Sequence, residues 1–173
     1  MHCEAITFVT GDATAPRGKQ QKIIAFVVND KTPNWGAGFA KVIGRKWPHI
    51  QEQFREWSET HQLSLGSVGF FNVRDDLIAA PMIAQHGYGN SPKPRIRYSA
   101  LQECLEKLAK EALGHSATVH MPAIGCGEAG GSWSVVSELV KEAVCDQSVP
   151  VTVYQLPRTS PFEPVREPQL TFL

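Results

Sequence analysis

Two glycine-dense loops limit what this chain can fold into: Trp35-Gly36-Ala37-Gly38-Phe39-Ala40 and Gly125-Cys126-Gly127-Glu128-Ala129-Gly130-Gly131. The second follows an apolar run, Thr118 to Ile124, and precedes an amphipathic stretch from Ser132 to Val144. A strand that turns through glycines into a helix N-terminus lets backbone N–H groups converge on an anion without basic side chains. The positive end of the helix adds to that attraction. The first loop also opens a helix, so the pair could hold the two phosphates of one diphosphate. A nucleotide-like ligand is the expectation.

The rest of the chain alternates strand and helix signals. Ala5 to Val9 reads as a first strand and Lys22 to Val28 as a nearly all-apolar one buried on both faces. Gly38 to Lys46 and His49 to His61 read as helices, the second with Ile50, Phe54 and Trp57 on one face. Val68 to Val73 and Ile78 to Gln85 read as an antiparallel pair, and His86 to Arg97 as a mobile basic loop. A helix over Tyr98 to Leu113 carries the apolar stripe Leu101, Cys104, Leu105, Leu108, Ala112. A strand over Thr118 to Ile124, a helix over 132–144 and a strand over Val151 to Leu156 complete a domain spanning 1–157. This order predicts a three-layer α/β/α sandwich around a mixed sheet. Ligands in such folds bind beyond the C-terminal ends of the strands, where both glycine loops fall.

Seventeen basic residues balance seventeen acidic ones among 173, which argues against a broad, non-specific nucleic-acid binder. Four cysteines (Cys3, Cys104, Cys126, Cys145) form no C-x-x-C pair and no metal-ligand spacing with the six histidines. No metal or cofactor is therefore expected. The start shows no basic region followed by an apolar stretch, and no run approaches a membrane span of ~18 residues. The expectation is a reduced, cytoplasmic monomer.

Each candidate residue has a plain alternative. Gly125-Cys126-Gly127-Glu128-Ala129-Gly130 matches G-x-G-x-x-G, but only one strand follows it, which excludes a dehydrogenase fingerprint. Cys126 is placed like a nucleophile, yet a cysteine phosphatase needs an arginine where Ser132 stands; a small buried cysteine is the preferred reading. Asp12 follows Gly11 at a strand end, where it can accept from an exocyclic amine or bond its own backbone. Asn29 and Asp30 can reach a ribose hydroxyl or orient a water, and Trp35 is either a wall of the site or loop packing. Gln85 and His86 end a strand; His86 is an acid–base candidate or a structural histidine. Lys93, Arg95 and Arg97 either meet phosphates of a polymer or form a solvated loop.

Taken in order, Thr10-Gly11-Asp12, Val28-Asn29-Asp30, the Trp35–Ala40 loop, Ile83-Ala84-Gln85-His86 and Val119 to Gly127 resemble a macrodomain, over about residues 5 to 156. The branch it resembles unites the terminal ADP-ribose protein glycohydrolase with the ADP-ribose-reading macrodomain of a chromatin remodeller and small bacterial relatives. The resemblance implies ADP-ribose along the crest of the sheet. Asp12 would hold the adenine amine with Ala13 beside the ring, and Tyr154 to Leu156 would lie by the adenosine. Ile124 and the amides of Gly125, Cys126, Gly127, Glu128, Ala129 and Gly130 would cradle the diphosphate. Gly36, Ala37, Gly38 and Phe39 would wrap the phosphate and distal ribose.

Where the hydrolytic branch member uses a lysine and an aspartate, this chain carries Gln85 and Ala129. Glutamine forms no Schiff-base-type intermediate. Cleavage would then proceed by water attack on an oxocarbenium-like centre, with Asp30, Glu128 and His86 as candidate water-positioners. The expected activity is removal of ADP-ribose from protein acidic residues or nucleic-acid bases, and the rival is a reader that binds without cleaving. Residues 158–173 read as a separate proline-rich tail. It ends in Gln169-Leu170-Thr171-Phe172-Leu173, which resembles a peptide that docks on the DNA sliding clamp. That partner would point to ADP-ribosylated DNA and a DNA-repair setting.

Overall fold

The computed structural model describes residues 5–157. Its elements run β1 (Thr7–Thr10), β2 (Lys22–Asn29), α1 (Gly38–Lys46), α2 (Pro48–His61), β3 (Phe71–Arg74), β4 (Leu77–Gln85), α3 (Tyr98–His115), β5 (Thr118–Met121), α4 (Trp133–Ala143), a 3-10 turn (Cys145–Gln147) and β6 (Val151–Gln155). Among the described residues the strands form one sheet in the order β1-β6-β5-β2-β4-β3. All neighbours pair parallel except β3, which runs antiparallel to β4. The mixed three-layer sandwich read from the sequence is the fold observed.

The period of two along the central strands builds both outer layers. In β2, Ile23 and Ala25 face the cluster that holds α3 and α4, while Ile24, Phe26 and Val28 face the cluster that holds α1 and α2. In β4, Ile78, Ala80, Met82 and Ala84 take the first face and Leu77, Ala79 and Ile83 the second. Strands so covered on both sides must be apolar throughout, which is why neither shows a polar–apolar alternation. Lys22 is the exception and is buried at 2% exposure. Its ammonium donates to Gly18 O, Gln20 O and Asp76 Oδ2 at 3.1, 2.9 and 3.0 Å, so each of its three protons has an acceptor.

Several boundaries differ from the sequence reading for local reasons. The strand expected from Val68 is interrupted: Val68 makes an isolated bridge to Met82, and the ladder resumes only at Phe71. β5 stops at Met121 because Pro122 has no N–H to continue a ladder. α2 begins one residue earlier than expected, with Pro48 in the first turn, where a missing N–H does no harm.

The loop 86–97 is not the free basic segment expected. His86 N–H donates to Arg95 O, Arg95 N–H and Ile96 N–H donate to Ala129 O, and Arg97 N–H donates to Ala84 O. The Arg95 guanidinium reaches the carbonyls of Gly89, His86 and Asn90, and that of Arg97 reaches Pro94 O and Ile96 O. Two of the three loop cations therefore bind their own backbone.

Candidate functional site

Parallel pairing brings the C-terminal ends of β1, β6, β5, β2 and β4 to one edge of the sheet. A cavity of about 560 Å³ opens there, within the size range of small-molecule sites. Its floor is Phe26, Val27 and Val28, and its walls are the two glycine loops, from Trp35 to Ala40 and from Pro122 to Ala129 without Cys126. Asn29, Thr32, Asn34, Gln85, Tyr88 and Gly89 complete it.

The walls present unpaired amides. The N–H groups of Gly125, Cys126, Gly127, Glu128 and Ala129 donate to no acceptor among the described residues, whereas Gly130 N–H closes on Gly127 O and Gly131 N–H on Gly125 O. Those two bonds fold the loop into a compact turn whose preceding amides stay free. Gly125 sits at φ +72°, where a side chain would be strained, and its Cβ would lie 3.0 Å from Ile96 Cδ1. Facing this turn, α1 starts at Gly38 with Ala37 as its N-cap, a residue with no side-chain oxygen to cap the first amides. Among the described residues no lysine or arginine lines the cavity, and Glu128 is its one charged side chain. The second glycine loop does not itself start a helix: α4 begins at Trp133, clear of the cavity lining. The cradle there is a turn, not a helix terminus.

The first loop is held from beneath by Gln51 of α2, which is buried. Its Oε1 accepts from Trp35 N–H at 3.2 Å and its Nε2 donates to Pro33 O at 2.8 Å. Trp35 is both cavity wall and core. Its ring packs edge-on to Phe26 at 5.4 Å and lies 4.9 Å from Phe54.

Asn29 and Gln85 are register partners at the ends of β2 and β4 and both line the cavity. Asn29 Oδ1 accepts from Lys31 N–H (2.9 Å) and Thr32 N–H (3.0 Å), so its amide NH2 is left as a donor. Gln85 is the converse: its NH2 donates to Gly87 O at 2.9 Å, leaving the oxygen as an acceptor. The next residue on each strand lies outside the lining. Asp30 Oδ2 pairs with His86 Nδ1 at 2.8 Å, and its Oδ1 accepts from Gly87 N–H at 2.9 Å. Burial opposes ionisation of Asp30, but the Gly87 amide and the His86 ring hold its carboxyl below the usual carboxylate range. Asp30 and His86 thus support the wall that Asn29 and Gln85 present.

The remaining sequence candidates sit elsewhere. Cys126 is half-buried beside the lining with its thiol donating to Ile124 O at 3.3 Å, and burial pushes that thiol up to about 11. Gly130 lies outside the lining. Asp12, Ala13, Tyr154 and Leu156 lie at the β1–β6 end, outside the cavity lining. Asp12 Oδ1 accepts from both Thr14 N–H and Thr14 Oγ1–H at 2.8 Å, a turn aspartate with its second oxygen open. Tyr154 is buried, its hydroxyl accepting from Arg17 N–H at 2.9 Å and meeting His120 Nδ1 at 2.7 Å. Burial, with Lys22 nearby, pulls His120 down to about 4. Leu156 is exposed.

Sequence reasoning did not find Thr32, Asn34, Tyr88 or Gly89. The Asn29-x-x-Thr32 spacing of a side-chain-capped turn was a usable signal for the first of these; Tyr88 carried none beyond its glycine neighbours. Among the described residues no group of three or more His, Cys, Asp or Glu is placed to hold a metal ion, and no helix is long and apolar enough to cross a membrane. The clamp-like peptide Gln169 to Leu173 lies outside the described residues.

A three-layer sandwich with an amide-walled cleft at the parallel strand ends defines an α/β ligand-binding class of protein. The comparisons narrow the class. A macrodomain protein from Streptomyces coelicolor is 38% identical, covers 87% of this chain with 98% of its own length matched, and superposes with a TM-score of 0.75. The chain belongs to the macrodomain family. A Bacteroides thetaiotaomicron protein of known structure is 42% identical over 86% of this chain and 98% of its own, with a TM-score of 0.80. Thermosipho africanus DarTG, solved in complex with ADP-ribose, shares the fold at a TM-score of 0.72 and 19% identity, covering 92% of this chain and 43% of its own.

Among curated relatives, the mouse Chromodomain-helicase-DNA-binding protein 1-like is 28% identical over 165 residues, or 90% of this chain. It falls in the branch expected from the sequence. The chain spans 18% of that relative's length. An ADP-ribose 1''-phosphate phosphatase of Lodderomyces elongisporus is 28% identical over 139 residues, 74% of this chain and 86% of its own. No protein-family model matches the chain.

Proposed function

We propose that this protein binds ADP-ribose along the crest of its sheet and hydrolyses the bond between that ADP-ribose and an acceptor. The observation that carries the reading is the run of unpaired amides from Gly125 to Ala129 facing the uncapped start of α1 across one cavity. Converging dipoles of this kind match a diphosphate and need no cation. The ADP-ribose named in the Thermosipho complex and the ADP-ribose 1''-phosphate of the yeast relative belong to the same ligand chemistry. In this reading the distal ribose lies against Asn29 and the Gly36–Phe39 turn, with the adenosine toward Asp12, Ala13, Tyr154 and Leu156.

The cavity offers no amine nucleophile, since Gln85 stands at the relevant strand end and its nitrogen is already bonded to Gly87 O. The reaction is therefore attack by water. A water adds to the anomeric carbon, the glycosidic electron pair leaves with the acceptor, and the acceptor takes the proton that the water loses. Gln85 Oε1 and Glu128 are the acceptors in the lining that orient the water, and the Asp30–His86 pair fixes the strand end behind them. Positive charge developing on the ribose is stabilised by the carbonyl and carboxylate oxygens around it.

The test is incubation with an ADP-ribosylated glutamate peptide and with thymidine-linked ADP-ribosyl DNA. Release of free ADP-ribose supports a hydrolase. Binding without release makes the protein a reader, and release only from ADP-ribose 1''-phosphate makes it a phosphatase. Absence of any calorimetric or thermal-shift response at millimolar ADP-ribose refutes the whole reading. We further propose that Gln169, Leu170, Phe172 and Leu173 dock on a DNA sliding clamp. Deleting residues 169–173 should abolish clamp pull-down and leave ADP-ribose affinity intact; failure of the full-length chain to bind a clamp ends that proposal.

A further inference from the structure

Outside the cavity lining, just past the end of β1, a buried hydroxyl stands between two charged groups. Thr14 is 3% exposed. Lys46 Nζ donates to Thr14 Oγ1 at 3.2 Å and to Thr14 O at 2.9 Å, and it lies 5.0 Å from the centroid of the Trp47 ring. The Thr14 hydroxyl in turn donates to Asp12 Oδ1 at 2.8 Å. An exposed lysine is ordinarily free in water. This one, although exposed, is held by those contacts and gives up rotamer freedom for them.

A hydroxyl has a single proton to give. The ammonium occupies a lone pair of Thr14 Oγ1, so that proton is directed at Asp12. Asp12 Oδ1 is then filled, by the hydroxyl and by Thr14 N–H, also at 2.8 Å. Ala15 N–H closes the same turn on Asp12 O at 2.9 Å. The carboxylate is fixed with Oδ2 open, an oxygen that accepts and has nothing to donate. We infer that Thr14 and Lys46 are positioning residues for base selection: they orient Asp12 so that the subsite takes a base with an exocyclic amine and rejects one with a carbonyl at that place. An amine donates to Oδ2, whereas a carbonyl sets two acceptors against each other and leaves the carboxylate without a partner. Lys46 is also the last residue of α1, whose first residue, Gly38, lines the cavity. A single helix therefore ties the turn that selects the base to the wall that meets the diphosphate. This inference rests on the ADP-ribose reading, in which Asp12 lies by the adenine, and adds the residues that make Asp12 selective.

Calorimetry with ADP-ribose and with inosine diphosphate ribose, in which a carbonyl replaces the adenine amine, tests this. The quantity read is the ratio of the two affinities. The wild-type chain should favour ADP-ribose by about tenfold or more, as expected for one hydrogen bond to a charged acceptor. Thr14→Val and Lys46→Met should each lower that ratio several-fold, through weaker ADP-ribose binding at little-changed affinity for the inosine ligand. Thr14→Ser, which restores the hydroxyl, should keep the ratio. Thermal melting checks that the variants fold, and the exposed Lys46 supplies the decisive variant if Thr14→Val does not. An unaltered ratio in Lys46→Met, equal falls in both affinities, or loss of the ratio in Thr14→Ser overturns the inference. So does a wild-type chain that binds the two ligands alike. A wild-type chain that binds neither refutes the ADP-ribose reading itself, and is told apart because there is then no ratio to compare.

Discussion

Gly127 offers a way to remove ligand binding while leaving the fold alone. A Cβ placed there meets no heavy atom within 4 Å, and the backbone is not in the left-handed region. Substitution should thus leave thermal stability close to wild type, as at an unstrained exposed position. The side chain would project where the diphosphate is read to sit. A carboxylate about 4 Å from a phosphate charge costs about 1 kcal/mol in bulk water and about 4 kcal/mol at an effective dielectric of about 20. The loop lies at an open mouth between these limits, so about 2 kcal/mol, or roughly 30-fold, is the electrostatic share. Gly127→Gln supplies the same volume without the charge. Calorimetry with ADP-ribose should rank Gly above Gln above Glu, and the gap between Gln and Glu should narrow as salt rises. Wild-type affinity for a folded Gly127→Glu variant would show that no anion occupies this turn. Equal affinities of the Gln and Glu variants would remove the electrostatic part of the reasoning.

Three further outcomes follow from buried groups. Gln51→Leu should destabilise the protein by about 2 kcal/mol, because Trp35 N–H and Pro33 O lose their partner; urea denaturation measures this, and ADP-ribose affinity should fall with it as the first loop loosens. The Cys126 thiol, pushed up to about 11 by burial, should react slowly with iodoacetamide at pH 7.5, and Cys126→Ser should keep full activity; rapid alkylation would contradict the inert assignment. His120 is pulled down to about 4 from an ordinary 6.5, so the unfolded chain binds the extra proton between those values. Stability should be complete above pH 6.5 and fall as pH drops toward 4, by up to about 3 kcal/mol, and a flat urea midpoint across that window would show that the ring is not buried neutral.

The fold was legible because its central strands are. Lys22 to Val28 and Ile78 to Gln85 are apolar without alternation, a pattern that only a sheet covered on both faces uses, and the intervening helices carry single apolar stripes. The glycine loops were legible for the same reason that they matter: Trp35–Ala40 and Gly125–Gly131 are too poor in side chains to be anything but backbone surfaces. What sequence left hidden was which side-chain atoms the turns would consume. Nothing in the one-dimensional pattern says that Arg95 and Arg97 would bind loop carbonyls, which is neither the solvated loop nor the polymer contact weighed for them. Nor does it say that Asn29 would spend its oxygen on Lys31 and Thr32, or that Gln85 would spend its nitrogen on Gly87. Those choices are tertiary, set by loops from different strands meeting at one edge.

They also give the site its division of labour. Asn29 and Gln85 stand side by side at the ends of β2 and β4, one turned into a donor and the other into an acceptor by the turn that follows it. The residues directly after them, Asp30 and His86, close on each other at 2.8 Å and lie outside the lining. Asp30 also holds Gly87, whose carbonyl fixes Gln85, so a single carboxylate sets both the orientation of the acceptor in the cavity and the position of the loop that presents Tyr88. On the proposed reading, chemistry at the anomeric carbon would rest on Gln85 Oε1 and Glu128, and the Asp30–His86 pair would contribute by fixing the strand end behind them. A site built this way would need no lysine for the proposed reaction, because amide dipoles would meet the diphosphate and Gln85 Oε1 and Glu128 would orient the water.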